Sequence, residues 1–221
     1  MRAFWALLWR DVSLGIRTSG GAALSAAFFA LILVLAPFGL GPELTGLQTA
    51  APGLFWIAAL LATLLGLERM IQPDVEDGTL DLLRLSPIPL ELVALAKILA
   101  HWMTSGLIIT LLAPFLAPLL SLSVDAIPML VLTLFVGTLG LSAIGAAGAA
   151  LGASVQRGGI VLAILVLPLN VPFLIFGAGA VSAAQAGTDA TQPLMFLTAC
   201  SLLALVVGPV ATAAALRLNE D

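Results

Sequence analysis

The sequence predicts an all-α polytopic membrane protein: six transmembrane helices preceded by an N-terminal interfacial helix. Three observations carry that expectation. Of 221 residues, 61% are apolar and only 9% charged, with a mean hydropathy of +1.18. A soluble domain carries about 25% charged residues, and no globular core absorbs this much apolar surface. The charges also leave six gaps, at 18–42, 44–67, 98–124, 126–156, 158–188 and 190–216. Each exceeds the ~20 residues that cross hydrocarbon. Finally, the charges between the gaps sort by sign. With the N-terminus inside, all eight Lys/Arg residues are cytoplasmic, and the opposite side carries only Glu43, Asp125 and Asp189. Lys and Arg collect on the cytoplasmic side of membrane proteins, so both termini are expected there.

The same composition excludes several function classes. A net charge of −4 argues against nucleic acid as a partner. One cysteine, Cys200, and one histidine, His101, permit neither an internal disulfide nor a Cys/His metal cluster, so no metal site is expected. The only lysine, Lys97, is preceded by Leu95 and Ala96, so no GxxxxGK[ST] phosphate loop exists. No Ser/His/Asp constellation is visible, and the chain reads as a non-enzyme without catalytic residues. No paired carboxylates lie inside a gap, which disfavours a proton-coupled carrier. Energy, if used, comes from a partner. Asp11 and Arg17 break up any signal-peptide core.

The chain reads as one domain over 1–221. Residues 1–18 form its surface helix. At 100° per residue, Arg2, Arg10, Ser13 and Arg17 share a narrow sector. Phe4, Trp5, Leu7, Leu8, Val12, Leu14 and Ile16 cover most of the rest, with Asp11 among them. Such a helix lies in the interface with its arginines toward lipid phosphates. Gly20 and Gly21 then allow a bend into the first span. Ala51-Pro52-Gly53 reads as the start of the second helix, because Pro favours a first turn. Phe55 and Trp56 fit an interfacial anchor.

Residues 68–97 hold six acidic and three basic side chains. A charge at the bilayer centre costs about 3 kcal/mol. The stretch therefore sits in water and is the largest surface offered to a soluble partner. Pro73 is expected to end the preceding helix. Asp77 and Gly78 read as a turn, with Thr79 as the N-cap of a short helix to Leu85. Leu80 and Leu83, with Leu82 as a third candidate, form the apolar face that a partner would cover. Asp81 and Arg84 pair at i,i+3.

Further along, Pro114 and Pro118 kink the third span or end it near Pro118. The fourth span is rich in Gly and Ala, including Gly148 and Gly152 at GxxxG spacing. That composition suits either a tight seam or ordinary helix packing. In the fifth, Pro168 and Pro172 flank an intramembrane Asn170. Two readings stay open: a broken helix with a re-entrant hairpin over 173–192, or one long kinked helix. Asn170 either lines a path or gate, or makes a helix–helix hydrogen bond. The sixth span begins near Pro193.

The run Glu76-Asp77-Gly78-Thr79-Leu80-Asp81-Leu82-Leu83 fits E-x-G-T-L-[DE]-x-L. Behind a surface elbow helix and with six spans, it resembles the membrane components of type-2 ABC exporters. On that resemblance Glu76, Asp77, Gly78, Thr79, Leu80, Asp81, Leu83 and Arg84 are the coupling region that docks on an ATPase. Closer still, the chain resembles the CcmB family, a membrane component of the haem exporter of c-type cytochrome maturation. The matching blocks are Gly41-Pro42-Glu43, APGLFWIAALL at 51–61, Leu67-Glu68-Arg69, Lys97 with His101-Trp102, Arg157-Gly158-Gly159, LVLPL at 165–169 with Pro172, and ATAAALR at 211–217. They span nearly the full length, and 177–192 is the least similar region.

The resemblance implies a bacterial inner membrane and a set of partners. These are a soluble ABC ATPase that binds ATP and magnesium, a haem-handling membrane protein, a small single-span membrane protein, a periplasmic haem chaperone and, within the bilayer, a second copy of the chain. Haem is handled by the complex, and no cofactor is expected on this chain. His101 is the one candidate haem ligand; otherwise, with Trp102, it anchors the third helix at the headgroups. Two other functions fit the residues: a permease of the same fold for lipid, drug or polysaccharide, and a non-transporting membrane scaffold.

Overall fold

Backbone amides and carbonyls in hydrocarbon must satisfy one another, so long apolar runs fold as helices. The computed structural model describes residues 2–17, 21–41, 43–153 and 158–218, and their regular structure is entirely helical. The expectations placed on Thr18, Gly20, Pro42, Gln156 and Arg157 lie outside these residues. The surface helix is α1 (Arg2–Arg17). It is followed by α2 (Gly21–Leu40), α3 (Leu44–Glu76) and the short α4 (Thr79–Leu85). The third span comprises α5 (Leu90–His101), a π-helical turn (Trp102–Gly106), α6 (Leu107–Leu116) and a 3₁₀ turn (Ala117–Leu120). A 3₁₀ turn at Val124–Ala126 leads into α7 (Ile127–Gly152), and α8 (Gly158–Gln185) and α9 (Thr191–Leu218) complete the bundle. Six helical stretches among the described residues are long and apolar enough to cross a membrane.

Prolines explain where these helices depart from expectation. The second helix starts at Leu44 rather than at Ala51, which puts Pro52 inside it. Pro52 has no N–H, so the Gln48 carbonyl one turn back loses its intrahelical donor. Gln185 Nε2 supplies the replacement at 2.8 Å, tying α8 to α3. Pro73 does not end α3 either, for the helix runs on to Glu76. Lys97 Nζ bonds the Met70 carbonyl in this turn at 3.2 Å. The fifth span is likewise continuous: α8 carries both Pro168 and Pro172 and reaches Gln185, so there is no re-entrant hairpin. The third span does end near Pro118: the 3₁₀ turn that holds it stops at Leu120, with Ser121 N bonding the Pro118 carbonyl.

The small residues of α7 act as notches. A Cβ on Gly137 would lie 2.3 Å from Trp56 of α3, one on Gly140 2.2 Å from Phe173 of α8, and one on Gly145 2.4 Å from Leu67 of α3. Gly177 of α8 closes on Trp56 from the other side, where a Cβ would stand 2.0 Å away. Trp56 is therefore fully buried rather than an interfacial anchor, and Phe55 is buried with it. Close backbone approach through small residues is the usual route to dispersion contact between membrane helices. Here that seam is internal to the chain.

Candidate functional site

Gly78 sits at φ 75°, a left-handed conformation that favours glycine, and it turns the chain sharply out of α3 into α4. The Asp77 carboxylate accepts the Thr79 amide at 2.8 Å, which closes the turn. Gly78, not Thr79, occupies the N-cap position. Hydrogen bonds from Thr79, side chain first and then backbone, hold the Asp77 carboxyl below its ordinary value. The expected pair Asp81–Arg84 forms at 2.9 Å. Arg84 also donates to the Leu216 carbonyl at 2.5 Å, a C-terminal carbonyl of α9. Arg217 of α9 pairs with Glu91 at 2.6 Å. Three separate elements thus meet at one end of the bundle.

The apolar faces of α4 differ from expectation. Leu80 is buried at 3% exposure among Leu67 and Ile71 of α3, Ala149 and Ala150 of α7, and Leu216 of α9. Leu83 is half-buried against the cluster of Leu7, Leu8 and Val12 of α1 with Val93 and Ala96 of α5. Neither awaits a partner. The residues that face outward are Leu82 and Leu85, exposed at 70% and 85%, beside the exposed Asp81. In seven residues the helix has room for one inward and one outward face, and the bundle takes the inward one. Glu76, at the end of α3, is exposed and accepts a hydrogen bond from Gln72 at 3.0 Å.

Beside α4 lies a buried charge cluster that the sequence did not announce. Lys97 of α5 is 3% exposed and Asp74 of α3 is 7% exposed. The Lys97 ammonium pairs directly with Asp74 and stands 3.4 Å from Asp11 of α1. Arg10 of α1 bonds Asp11 at 2.7 Å and Asp74 at 3.1 Å. Asp11, which disrupts the amphipathic pattern of α1, is thus explained: it faces Lys97, not lipid. Lys97 follows Asp74 across α4, so the two ends of the stretch that carries α4 are tied by charge at its base.

This cluster walls a cavity of about 510 Å³. Asp11, Arg69, Asp74, Asp77 and Lys97 line it, and Ser25, Gly66, His101 and Ser105 line it as well. His101 is buried at 7% exposure, so it is not exposed to headgroups as an anchor would be. Its Nδ1 lies 2.9 Å from Ser142 Oγ, and its Nε2 lies 2.7 Å from where a Cβ on Gly66 would be. A macrocycle centred on Nε2 would overlap α3 there, so the site does not fit haem ligation. The half-buried Trp102 bonds Thr138 Oγ1 at 3.2 Å. No group of three or more His, Cys, Asp or Glu side chains is placed to hold a metal among the described residues.

Asn170 is 1% exposed, with neither amide atom hydrogen-bonded among the described residues. The helix–helix hydrogen bond is therefore not what the structure shows, and Asn170 does not line the cavity. Pro168 and Pro172 stand within the helix on either side of it.

Comparison with known proteins matches the sequence almost from end to end. The profile of the CcmB protein family matches residues 2–219. The chain belongs to the CcmB family. Heme exporter protein B of Paracoccus denitrificans is 50% identical over 214 residues, covering 97% of this chain and 98% of that protein. Heme exporter protein B of Pseudomonas aeruginosa is 45% identical over 216 residues, covering 98% and 97%. The Escherichia coli K12 protein of the same name is 42% identical over 216 residues, covering 98% of each. The CcmB chain is thus a multi-pass membrane protein of a family named for haem export, and α4 and the cavity lie within the matched region.

Proposed function

We propose that this CcmB chain is the permease component of an ABC transporter complex of cytochrome c maturation. It transmits ATP hydrolysis by a partner ATPase to haem export or to release of the haem-loaded chaperone. The observation that carries this reading is the construction of α4. Its outer face, Asp81, Leu82 and Leu85, is solvent-exposed. Its inner face grips α1, α3, α5, α7 and α9 through Leu80, Leu83 and Arg84. A push on the outer face therefore reaches most of the bundle. Exposed leucines flanked by a carboxylate suit an apolar cleft on a soluble protein. The haem-handling and single-span membrane proteins, the periplasmic chaperone and a second copy of this chain complete the expected assembly. It sits in the bacterial inner membrane with both termini and α4 in the cytoplasm.

Direct haem carriage through this chain has no support from a ligand, since His101 abuts Gly66. The mechanical role is favoured. Reconstitution with the ATPase, both membrane partners and haem-loaded chaperone tests it. ATP is expected to release chaperone only when this chain is present. Release without it, or with a chain lacking α4, contradicts the reading.

A further inference from the structure

The C-terminal end of α9 is held by the two helices that flank the corner at 86–89. Arg84 of α4 donates from Nη2 to the Leu216 carbonyl at 2.5 Å. Glu91, in the first turn of α5, accepts from Arg217 Nη2 at 2.6 Å. The two residues held are consecutive in α9. Leu216 is among the last four residues of that helix, whose carbonyls have no donor within it. A guanidinium there satisfies a carbonyl and complements the negative end of the helix dipole. The Arg84 side chain is mostly buried, so water competes little for the bond. The Arg217–Glu91 pair is exposed and contributes less. Leu80 and Leu216 also share an apolar cluster. Apolar contact has no direction, whereas a hydrogen bond to a backbone carbonyl fixes the register of α4 on α9.

Where a displacement of α9 would go follows from its packing on α7. A Cβ on Gly208 of α9 would lie 2.7 Å from the Ala143 carbonyl oxygen, so the two backbones touch there. One on Gly140 of α7 would lie 3.0 Å from Ser201 Oγ, and one on Gly137 3.2 Å from Leu197. Backbone contact leaves no soft side chain to absorb a shift, and close-packed interiors transmit strain. With 28 residues, α9 is about 42 Å long at 1.5 Å per residue. Its first residue, Thr191, follows an exposed turn at 186–189, at the opposite end of the bundle from α4.

We infer that α9 is the push rod of the bundle: Arg84 is the positioning residue that carries a displacement of α4 to the end of α9, and α9, keyed into α7, carries it to the turn at 186–189. This rests on the proposed reading, in which an ATPase displaces α4. The test uses the full-length chain with Cys200→Ser and Thr188→Cys, reconstituted with the partner ATPase and both membrane partners. The rate at which a hydrophilic maleimide labels position 188 is read with and without ATP, beside ATPase pull-down. ATP is expected to change that rate. Arg84→Gln is expected to keep the ATPase, because Arg84 lies on the inner face of α4. It should reduce the ATP effect about fivefold or more, the low end of ordinary coupling between sites. Arg84→Lys, which keeps a charged donor, should restore part of the effect. If Arg84→Gln fails to fold, the exposed pair carries the test. Glu91→Arg should then reduce the ATP effect, and Glu91→Arg with Arg217→Glu should restore it. An undiminished effect in variants that keep the ATPase overturns the inference alone, as does a native chain that keeps the ATPase and shows no ATP effect at position 188. A native chain that retains no ATPase overturns the proposed reading and this inference with it.

Discussion

Asp74 and Lys97 set the residue scale. Both are buried, and each is the other's main compensation for leaving water. Removing one partner of such a pair costs about 3–5 kcal/mol, because a buried charge is left behind. Asp74→Ala is accordingly expected to lower the thermal midpoint sharply. The double variant Asp74→Leu with Lys97→Met should recover part of that loss, since it removes both charges. Thermal unfolding of the purified variants in detergent checks this ordering. Asp77 carries a pH dependence of known sign. Its folded pKa lies below the ordinary carboxylate value, so its contribution is present above that value and fades as pH falls through the folded pKa. Asp77→Asn should therefore flatten the acid limb of a Tm-versus-pH curve and leave its neutral region shape unchanged. Asn170 shows where sequence reading stops at this scale. Its intramembrane position is legible from composition, but that its amide finds no partner among the described residues depends on which helices surround it. An unpaired amide in a packed membrane core is destabilising. Asn170→Leu should thus raise Tm, and a simultaneous loss of ATP-driven chaperone release would assign Asn170 to a moving part. A lower Tm would show that the amide has a partner after all.

Among the elements, α4 is legible in the sequence as a helix, but its exposed face is not. The turn at Asp77-Gly78 starts it in the sequence, and the Asp81–Arg84 pair follows from spacing. Which leucines face out does not follow, because Leu80, Leu82, Leu83 and Leu85 leave an apolar residue on every side of so short a helix. Only the clusters formed by α1, α3, α5, α7 and α9 decide it. The element-scale prediction is a split. Leu80→Asp places a carboxylate among buried aliphatic side chains and should cost folding and yield. Leu82→Asp, on an exposed position, should insert and fold like the native chain in gel filtration and thermal unfolding. The prolines of α3 teach a related lesson. Local spacing makes each a helix boundary, yet the helix runs through Pro52 and Pro73. Gln185 bonds Gln48, whose donor Pro52 removes, and Lys97 bonds Met70 beside Pro73. Those partners lie far along the chain, where local spacing gives no sign of them.

For the whole molecule, charge-free gaps and the one-sided distribution of Lys and Arg made the six spans legible before any coordinates. The internal seam was not, since glycine spacing does not say whether the facing helix belongs to the same chain. Topology gives a direct check at this scale. In a Cys200→Ser background, cysteine at Thr188 should label only from the periplasmic side and cysteine at Glu76 only from the cytoplasmic side. Both positions are exposed and lie on loops or helix ends. The central claim is that the bundle is driven through the outer face of α4. The most direct measurement is pull-down of the partner ATPase by detergent-solubilised Leu82→Asp/Leu85→Asp, beside the native chain and matched for monodispersity. The account predicts that the native chain retains the ATPase and the folded double variant loses it, with c-type cytochrome maturation lost in cells. Full retention of the ATPase by the folded double variant would contradict it.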